Sequence, residues 1–267
     1  MNMKKSKQLF FSKVLLTVLL ISQSSFILPG KPKREYYQLT VYHYSSFAQE
    51  KVIDQYLQFA LLPALHRAGV SKTGVFKAIA NDTAADKTLY VLVPVKSLEM
   101  LTVIDRQLKQ DSVLSKSGEE YINALYTQPP YKRKETILLQ AFSLAPEMQL
   151  PKLTAAKKDR VYELRSYESA TEKIFQNKVH MFNEGDEIGL FKKLNFNAVF
   201  YAEVIAGSKM PNLMYLTSFE SKEDRDAHWK AFGSDPFWKK LSAMPEYSNN
   251  VSHIDIAFLR PADYSDF

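Results

Sequence analysis

The chain has 267 residues, and 46% of them are hydrophobic, which is enough for a packed core and argues against disorder. Its formal net charge is +6, but residues 1–25 contain four lysines and no acidic residue. The rest carries 31 basic and 29 acidic side chains, a net charge near +2, so a nucleic-acid partner is not expected. The absence of cysteine excludes disulfides, thiolate metal ligands and a cysteine nucleophile.

The N-terminus has the composition of an export signal. Lysines precede an apolar run over residues 14–21, and a serine-rich stretch follows at residues 22–25. We predict that residues 1–25 are a cleaved signal peptide, so that the mature protein is periplasmic or extracellular and has no membrane anchor. An uncleaved anchor is the alternative, because residues 26–28 are again apolar. A membrane span needs about 20 apolar residues, and the serines interrupt this one.

In the first half, residues 37–42 alternate and predict a strand, and apolar spacing predicts a helix from Phe47 to Arg67 that Pro63 kinks. Residues 33–145 are assigned to this half. Residues 146–158, which contain two prolines and a lysine pair, are predicted to be a linker.

The second half, residues 159–267, begins with a strand predicted over residues 161–167. A helical pattern over residues 171–194 follows, and Gly185 and Gly189 weaken it. Ser221 begins a capping-box sequence, and Asp235-Pro236 opens a further turn of helix. The remaining predicted strands are Phe196–Val204, Leu213–Phe219 and His253–Leu259.

An internal repeat connects the two halves. Residues 37–42, Tyr-Gln-Leu-Thr-Val-Tyr, are echoed 125 positions later by residues 162–167, Tyr-Glu-Leu-Arg-Ser-Tyr. Further matches follow in the same order: Val75-Phe76 with Val199-Phe200, Leu89-Tyr90 with Met214-Tyr215, Asp111 with Asp235, and Ala141-Phe142 with Ala257-Phe258.

The repeat predicts an α+β fold made of two tandem ferredoxin-like β-α-β-β-α-β units. A four-stranded sheet with helices on one face must cover its other face, and the two units can cover each other. We therefore predict a single-chain version of the dimeric α/β barrel. Because one chain supplies both halves, a monomer or a weak homodimer is expected.

The faces of the strands are assigned by polarity. In the strand over residues 161–167, Tyr162 and Leu164 are assigned to the helix side, and Glu163, Arg165 and Tyr167 to the inner side. This assignment predicts a polar, aromatic cleft between the sheets. The charged set is confined to the second half, so the predicted site is asymmetric.

The second half resembles the NIPSNAP family, relatives of the dimeric α/β-barrel proteins that include small monooxygenases. The resemblance covers residues 158–267 and rests on Val-Tyr-Glu-Leu-Arg-Ser-Tyr at 161–167, Leu-Met-Tyr-Leu-Thr-Ser-Phe-Glu-Ser at 213–221, and Asp-Pro-Phe-Trp at 235–238. It implies the ferredoxin-like barrel. It supplies no catalytic residues, and the first half matches only by pattern.

Two pairs of residues are candidates for chemistry. Glu163 and Arg165 lie two positions apart, so Arg165 can grip a carboxylate ligand, or the pair can be a structural salt bridge. His253 and Asp255 repeat this spacing, and Asp255 could orient His253 as a general base, although a surface histidine is the alternative.

Three further side chains are predicted to contact a ligand: Tyr167, Tyr215 and His180, each with ordinary packing as the alternative. The five histidines lack the short spacings common in metal sites, and no glycine-rich phosphate loop follows a strand. We therefore predict neither a metal nor a cofactor.

Two hypotheses for function follow. In the first, the barrel cleft binds a small organic ligand, or its surface binds a partner, without chemistry. In the second, the protein is a cofactor-independent monooxygenase or isomerase acting on a small anionic or aromatic substrate, with His253 or Glu163 moving a proton. The second hypothesis requires Glu163, Arg165, Tyr167, His253 and Asp255 to line a common cavity.

Overall fold

Eight strands form a closed antiparallel barrel in the computed structural model, which describes residues 33–267. The strands are β1 (Tyr36–Tyr44), β2 (Gly74–Ala78), β3 (Lys87–Val95), β4 (Arg133–Ala141), β5 (Val161–Glu168), β6 (Phe200–Ala206), β7 (Asn212–Phe219) and β8 (His253–Pro261). Their order around the barrel is β1-β3-β2-β8-β5-β7-β6-β4. The fold is thus mixed α/β, as predicted.

Helices pack on the outside of the barrel. They are α1 (Phe47–Tyr56), α2 (Leu62–Arg67), α3 (Leu98–Gln110), α4 (Ser112–Ser117), α5 (Glu119–Ile122), α6 (Glu172–Asn183), α7 (Glu187–Lys193), α8 (Lys222–Ser234) and α9 (Pro236–Ser242). Outward-facing side chains of β1 and β3 form one apolar core with α1 to α3, and those of β5 to β7 form a second with α6 to α8.

Both predicted helix interruptions are present. The helix that starts at Phe47 passes through a π-helical turn, Leu57–Leu61, before α2, because Pro63 has no N–H to donate to the preceding turn. The helical pattern after β5 is divided between α6 and α7. At this break Asp186 adopts a left-handed conformation, with φ of 60°.

Aspartate side chains cap helices at equivalent places in the two halves, and a serine caps α8. Asp111 Oδ1 accepts a hydrogen bond from the Leu114 N–H at 2.9 Å, and Asp235 Oδ1 accepts one from the Phe237 N–H at 2.8 Å. Ser221 Oγ accepts from the Asp224 N–H at 3.2 Å, as the capping-box sequence predicts.

The strand boundaries differ from the predictions mainly at β6. This strand was expected to begin at Phe196 but begins at Phe200. Asn195 and Asn197 have φ of 55° and 44°, so the backbone there turns in the left-handed region and cannot extend the ladder.

Two strand pairings join the halves into one barrel. Strand β2 pairs with β8, where Phe76 lies opposite Pro261, and β4 pairs with β6, where Ala141 lies opposite Ala202. Every strand thereby gains two hydrogen-bonded neighbours, and the sheet has no edge.

The barrel interior is apolar, which corrects the predicted assignment of faces. Tyr162 and Leu164 of β5 point into the interior, whereas Tyr167 belongs to the helix-side core. The polarity argument was wrong because it placed charged side chains in a wet cleft; here the charges are buried under helices that supply their partners. The predicted polar cleft between the sheets is absent from the described part of the chain.

Aromatic side chains fill one end of the interior. Tyr37 packs against Phe200 with ring centroids 5.1 Å apart and the rings tilted by 41°, and Phe76 contacts Tyr162 at 4.9 Å and Phe267 at 5.7 Å. We call this end the closed end. Residues 146–158 contain no helix or strand, and Met148 within them packs into the same interior core.

The predicted signal peptide, residues 1–25, lies outside the described residues. Among residues 33–267, no helix has both the length and the apolar character that a membrane crossing requires.

We expect Phe76→Ala to lower the free energy of unfolding by about 3–5 kcal/mol, because the ring is buried where β2 meets the second half and its loss leaves a cavity. Urea denaturation followed by circular dichroism measures the change. Phe59→Ala is the matched control, because that ring is 59% exposed, and it should change stability by no more than about 0.5 kcal/mol. Equal effects of the two substitutions would contradict the packing described for the closed end.

Candidate functional site

A cavity of about 350 Å³ lies in the barrel interior, at the end opposite the closed end. Its walls are apolar side chains of six strands: Leu39 and Val41, Ile137, Leu164, Val204, Met214 and Ala257. It reaches solvent beside the exposed residues Ser208 and Lys209, in the turn between β6 and β7. We call this opening the mouth. Both halves line the cavity, so the site is not confined to the second half as predicted.

Polar side chains surround the mouth, and their position follows from strand alternation. Leu164, Ser166 and Glu168 are successive inward-facing residues of β5, and Ser166 lies opposite Asp255 in the pairing with β8. On β5 and β8 the inward positions near the mouth are therefore polar, while the deeper ones, such as Leu164 and Ala257, are apolar.

Asn212 combines deep burial with an unpaired polar atom. It lines the cavity at the start of β7 and is only 3% exposed. Its Nδ2 donates a hydrogen bond to Ser166 Oγ at 2.8 Å, but its Oδ1 has no partner within residues 33–267. Leaving a buried amide oxygen unpaired costs about 1–3 kcal/mol, and this oxygen has almost no accessible surface of its own.

The charges at the mouth are mostly negative. Lys209 Nζ donates a hydrogen bond to Asp255 Oδ2 and lies 3.9 Å from Glu168 Oε1. Their hydrogen bond raises the pKa of Lys209 and lowers the pKa of Asp255, so both are ionised at neutral pH. Glu135 also lines the cavity, accepts a hydrogen bond from Ser208 Oγ at 2.7 Å, and forms no ion pair in the part of the chain described.

His253 and Asp255 come together as the sequence predicts. His253 Nε2 lies 3.1 Å from Asp255 Oδ1. His253 is exposed and does not line the cavity, whereas Asp255 does. Glu168, His253 and Asp255 could hold a metal ion by proximity, but the ammonium of Lys209 already neutralises Asp255. We assign no metal to them.

Glu163 lies on the other face of β5, completely buried beneath α8. Its Oε1 accepts from Arg165 Nε at 2.6 Å and Arg225 Nη2 at 2.8 Å, and its Oε2 accepts from Arg225 Nε and Trp229 Nε1, both at 2.7 Å. Burial alone would raise the pKa of Glu163, but the two guanidinium groups lower it overall. Because four donors occupy its two oxygens, Glu163 has little capacity left for a ligand.

Arg165 continues the same buried network. Its guanidinium stacks 3.8 Å from the centre of the Trp229 ring, and its Nη1 donates to the Tyr167 hydroxyl at 3.0 Å. Tyr167 in turn shares a 2.8 Å hydrogen bond with Tyr215, and burial raises the pKa of Tyr215 well above its ordinary value. These contacts match the structural salt bridge that the sequence left as an alternative for Glu163 and Arg165.

His180 lies on α6, outside the barrel, where its Nδ1 hydrogen-bonds to the Tyr247 hydroxyl at 2.9 Å. Of the five residues that the enzyme hypothesis requires in one cavity, only Asp255 lines the barrel cavity. The hypothesis therefore has no geometric basis in that form. The ligand-binding and catalytic roles assigned to the individual residues stay predictions.

Sequence reasoning missed Asn212, Ser166, Lys209 and Glu135. Alternation from Leu164 could have indicated Ser166, had the inner face been assigned correctly. Nothing in the sequence places Lys209 beside Asp255, because the contact joins the β6–β7 turn to strand β8, 46 residues further along the chain.

An eight-stranded antiparallel barrel with outer helices and an interior cavity defines the class of α/β-barrel proteins. Residues 162–266 match the family model NIPSNAP, which confirms the resemblance stated for the second half. Among the curated proteins no match is found.

Solved structures with the same fold cover most of the chain. A candidate monooxygenase from Lactobacillus acidophilus is 12% identical, with a TM-score of 0.55 over 85% of this chain and 94% of that one. A second, from Fusobacterium nucleatum, is 6% identical, with a TM-score of 0.54 over 86% and 93%. An anthrone oxidase-like protein is 10% identical, with a TM-score of 0.50 over 87% and 93%. At these identities the likeness establishes the fold alone.

We expect Glu163→Gln to lower the free energy of unfolding by about 3–5 kcal/mol at pH 7, because Arg165 and Arg225 would lose their buried counter-charge. Denaturant unfolding measures the change. Glu223→Gln, on the exposed side of the same helix α8, is the matched control and should have little effect.

The effect of pH on this substitution has a definite sign. Because the folded-state pKa of Glu163 is lowered, its stabilisation is complete above the unfolded pKa of about 4.5 and is lost as pH falls through the lower, folded value. The stability gap between wild type and Glu163→Gln should therefore narrow below about pH 4.5. A gap that stays constant down to pH 2 would argue against an ionised Glu163.

Proposed function

We propose that this NIPSNAP-like protein binds a small organic molecule in the barrel cavity, without performing chemistry on it. The cavity itself carries the proposal: about 350 Å³ of mainly apolar space with polar groups only at the mouth. Binding sites for small molecules typically have this volume range, apolar lining and small number of polar groups.

The enzyme alternative has less support. Several proteins of the same fold are described as monooxygenases or as oxidase-like, but a shared fold is a weak argument for shared chemistry. A nucleophile or base that contacts the cavity would be needed. The hydrogen-bonding capacity of Glu163 is taken up by Arg165 and by Arg225 of α8. His253 is not among the residues that line the cavity.

We further propose that the chain consists of two tandem ferredoxin-like repeats, and that the mature protein is exported and acts as a monomer or weak dimer. The strand order supports the repeat, because β4-β1-β3-β2 in the first half corresponds to β8-β5-β7-β6 in the second. The helix caps Asp111 and Asp235 also correspond. Export rests on the composition of residues 1–25.

The proposal predicts that filling the cavity abolishes binding. Wild-type protein should enhance the fluorescence of N-phenyl-1-naphthylamine, a neutral aromatic probe that brightens in apolar surroundings. Ala257→Phe places a ring inside the cavity and should weaken probe binding at least tenfold. Fluorescence titration measures both affinities, and circular dichroism checks that the variant is folded.

Ala231→Phe, at an exposed position of α8, is the matched control and should bind the probe as wild type does. Two results would refute binding in the barrel: a wild type that does not bind the probe, or an Ala257→Phe variant that is folded and binds it unchanged.

A further inference from the structure

A second pocket, of about 130 Å³, lies in the first half, between the outer face of β1 and β3 and the helices α2 and α3. We call it the α3 pocket, and we propose that it binds a neutral molecule the size of one ring that bears a hydroxyl group. Its apolar walls are Leu65 of α2, Val91 and Val93 of β3, and Leu101, Ile104 and Leu108 of α3.

The sheet separates the α3 pocket from the barrel cavity. Leu39 and Val41 of β1 line the barrel cavity, whereas Gln38, Thr40 and Tyr42 of the same strand line the α3 pocket. Successive side chains of a strand point to opposite faces, so the two sites lie on opposite sides of β1. Binding in one is therefore independent of binding in the other.

The equivalent place in the second half is filled by the protein's own side chains. In the proposed repeat Thr40 corresponds to Arg165, 125 positions later. The residues opposite them on the neighbouring strand are Val91 and Tyr215, respectively. A guanidinium and a phenol ring of the second half thus correspond to a short hydroxyl and an isopropyl group in the first, which leaves space.

The helix that covers this place differs in the same direction. Helices α3 and α8 have 13 residues each and start at Leu98 and Lys222, so Asp105 corresponds to Trp229. In the second half the Trp229 ring stacks on the guanidinium of Arg165 at 3.8 Å. The α3 pocket therefore lies where the second half places flat groups, and this space suits a ring.

The volume of the α3 pocket limits the size of the ligand. An apolar cavity of about 150 Å³ holds one benzene molecule. The α3 pocket, at about 130 Å³, accommodates a single ring. N-phenyl-1-naphthylamine, which has three rings, is too large for it.

Neutral polar groups on β1 select the hydroxyl. Thr40 is 7% exposed, and its Oγ1 accepts a long hydrogen bond, 3.4 Å, from Gln38 Nε2. Within residues 33–267 the Thr40 hydroxyl donates to no acceptor, and Gln38 Oε1 accepts no hydrogen bond. A ligand hydroxyl can accept from the first group and donate to the second, because it has both capacities.

The charges around the α3 pocket favour a neutral ligand. Among the described residues, Asp105 is the one charged side chain that lines the pocket, and it is exposed and paired with Lys109 at 2.6 Å. A charged ligand would lose its hydration here without gaining a buried counter-charge, which is costly.

Phenol and benzoate share one ring and test the proposal on wild-type protein at pH 7. Methyl-resolved NMR locates the bound molecule, because Val91 and Ile104 line the α3 pocket. We expect phenol to shift the methyl signals of both residues saturably, with an affinity at least tenfold higher than that of benzoate. Phenol that leaves these signals unmoved, or benzoate that binds as tightly as phenol, would overturn the proposal.

Thr40→Val keeps the shape of the side chain and removes its hydroxyl. It should lower the ratio of phenol affinity to toluene affinity at least threefold, because only phenol can use the lost hydrogen bond. Thr102→Val, at an exposed position of α3, is the matched control and should leave this ratio unchanged. An unchanged ratio in folded Thr40→Val protein would refute recognition of the hydroxyl.

Two substitutions bring side chains of the second half into the α3 pocket. Val91→Tyr adds the ring of Tyr215, and the milder Leu108→Phe adds the ring of Phe232 from the equivalent helix position. Each should weaken phenol binding at least tenfold, whereas Val103→Tyr, at a position 46% exposed on α3, should not. Circular dichroism identifies the folded variants. A folded Leu108→Phe or Val91→Tyr variant that binds phenol as wild type does would contradict the site.

The NMR readout separates this site from the barrel cavity, which Ile137 and Val204 line. Phenol-induced shifts confined to these two residues would refute the α3 pocket and leave the proposed function intact. Shifts of Val91 and Ile104 that persist in Ala257→Phe protein would support the α3 pocket whatever happens in the barrel.

Discussion

The pairings of β2 with β8 and of β4 with β6 close the barrel, and the rest of the structure depends on them. Each half alone would expose the second face of its sheet. Closure buries these faces against one another, and it fixes which alternate side chains of every strand point inward. Tyr162 and Leu164 face the interior for this reason, and Glu163, Arg165 and Tyr167 face the helices.

The buried charges become stable on the outer face because α8 brings their partners. Arg225 and Trp229 lie more than 60 residues from Glu163 in sequence, and together with Arg165 they satisfy both carboxylate oxygens. The network thus attaches the helix layer to the sheet. Both oxygens of the Glu163 carboxylate are already hydrogen-bonded, so this charged group stabilises the fold and has little capacity left to bind a ligand.

The interior is unequally filled, and this inequality creates the candidate site. Aromatic rings fill one end of the interior. At the other end the side chains are smaller or short and polar, they do not fill the space, and a cavity remains. Strands of both halves line it, so the NIPSNAP-matching second half is not sufficient to form the site. The turn between β6 and β7 contributes Lys209, and the first half contributes Glu135, which gives the mouth its charge pattern.

Sequence alone determined the order of elements, the helix breaks at Pro63 and Gly185 and the helix caps, because periodicity and capping are local properties. It also showed the family resemblance of residues 158–267, of which 162–266 match the family model. It could not determine which face of β5 is inside, since alternation defines two faces without saying which one another sheet covers. The tertiary structure decided that, and with it the site: Asn212 and Glu135 reach one cavity only because distant strands close a barrel around it.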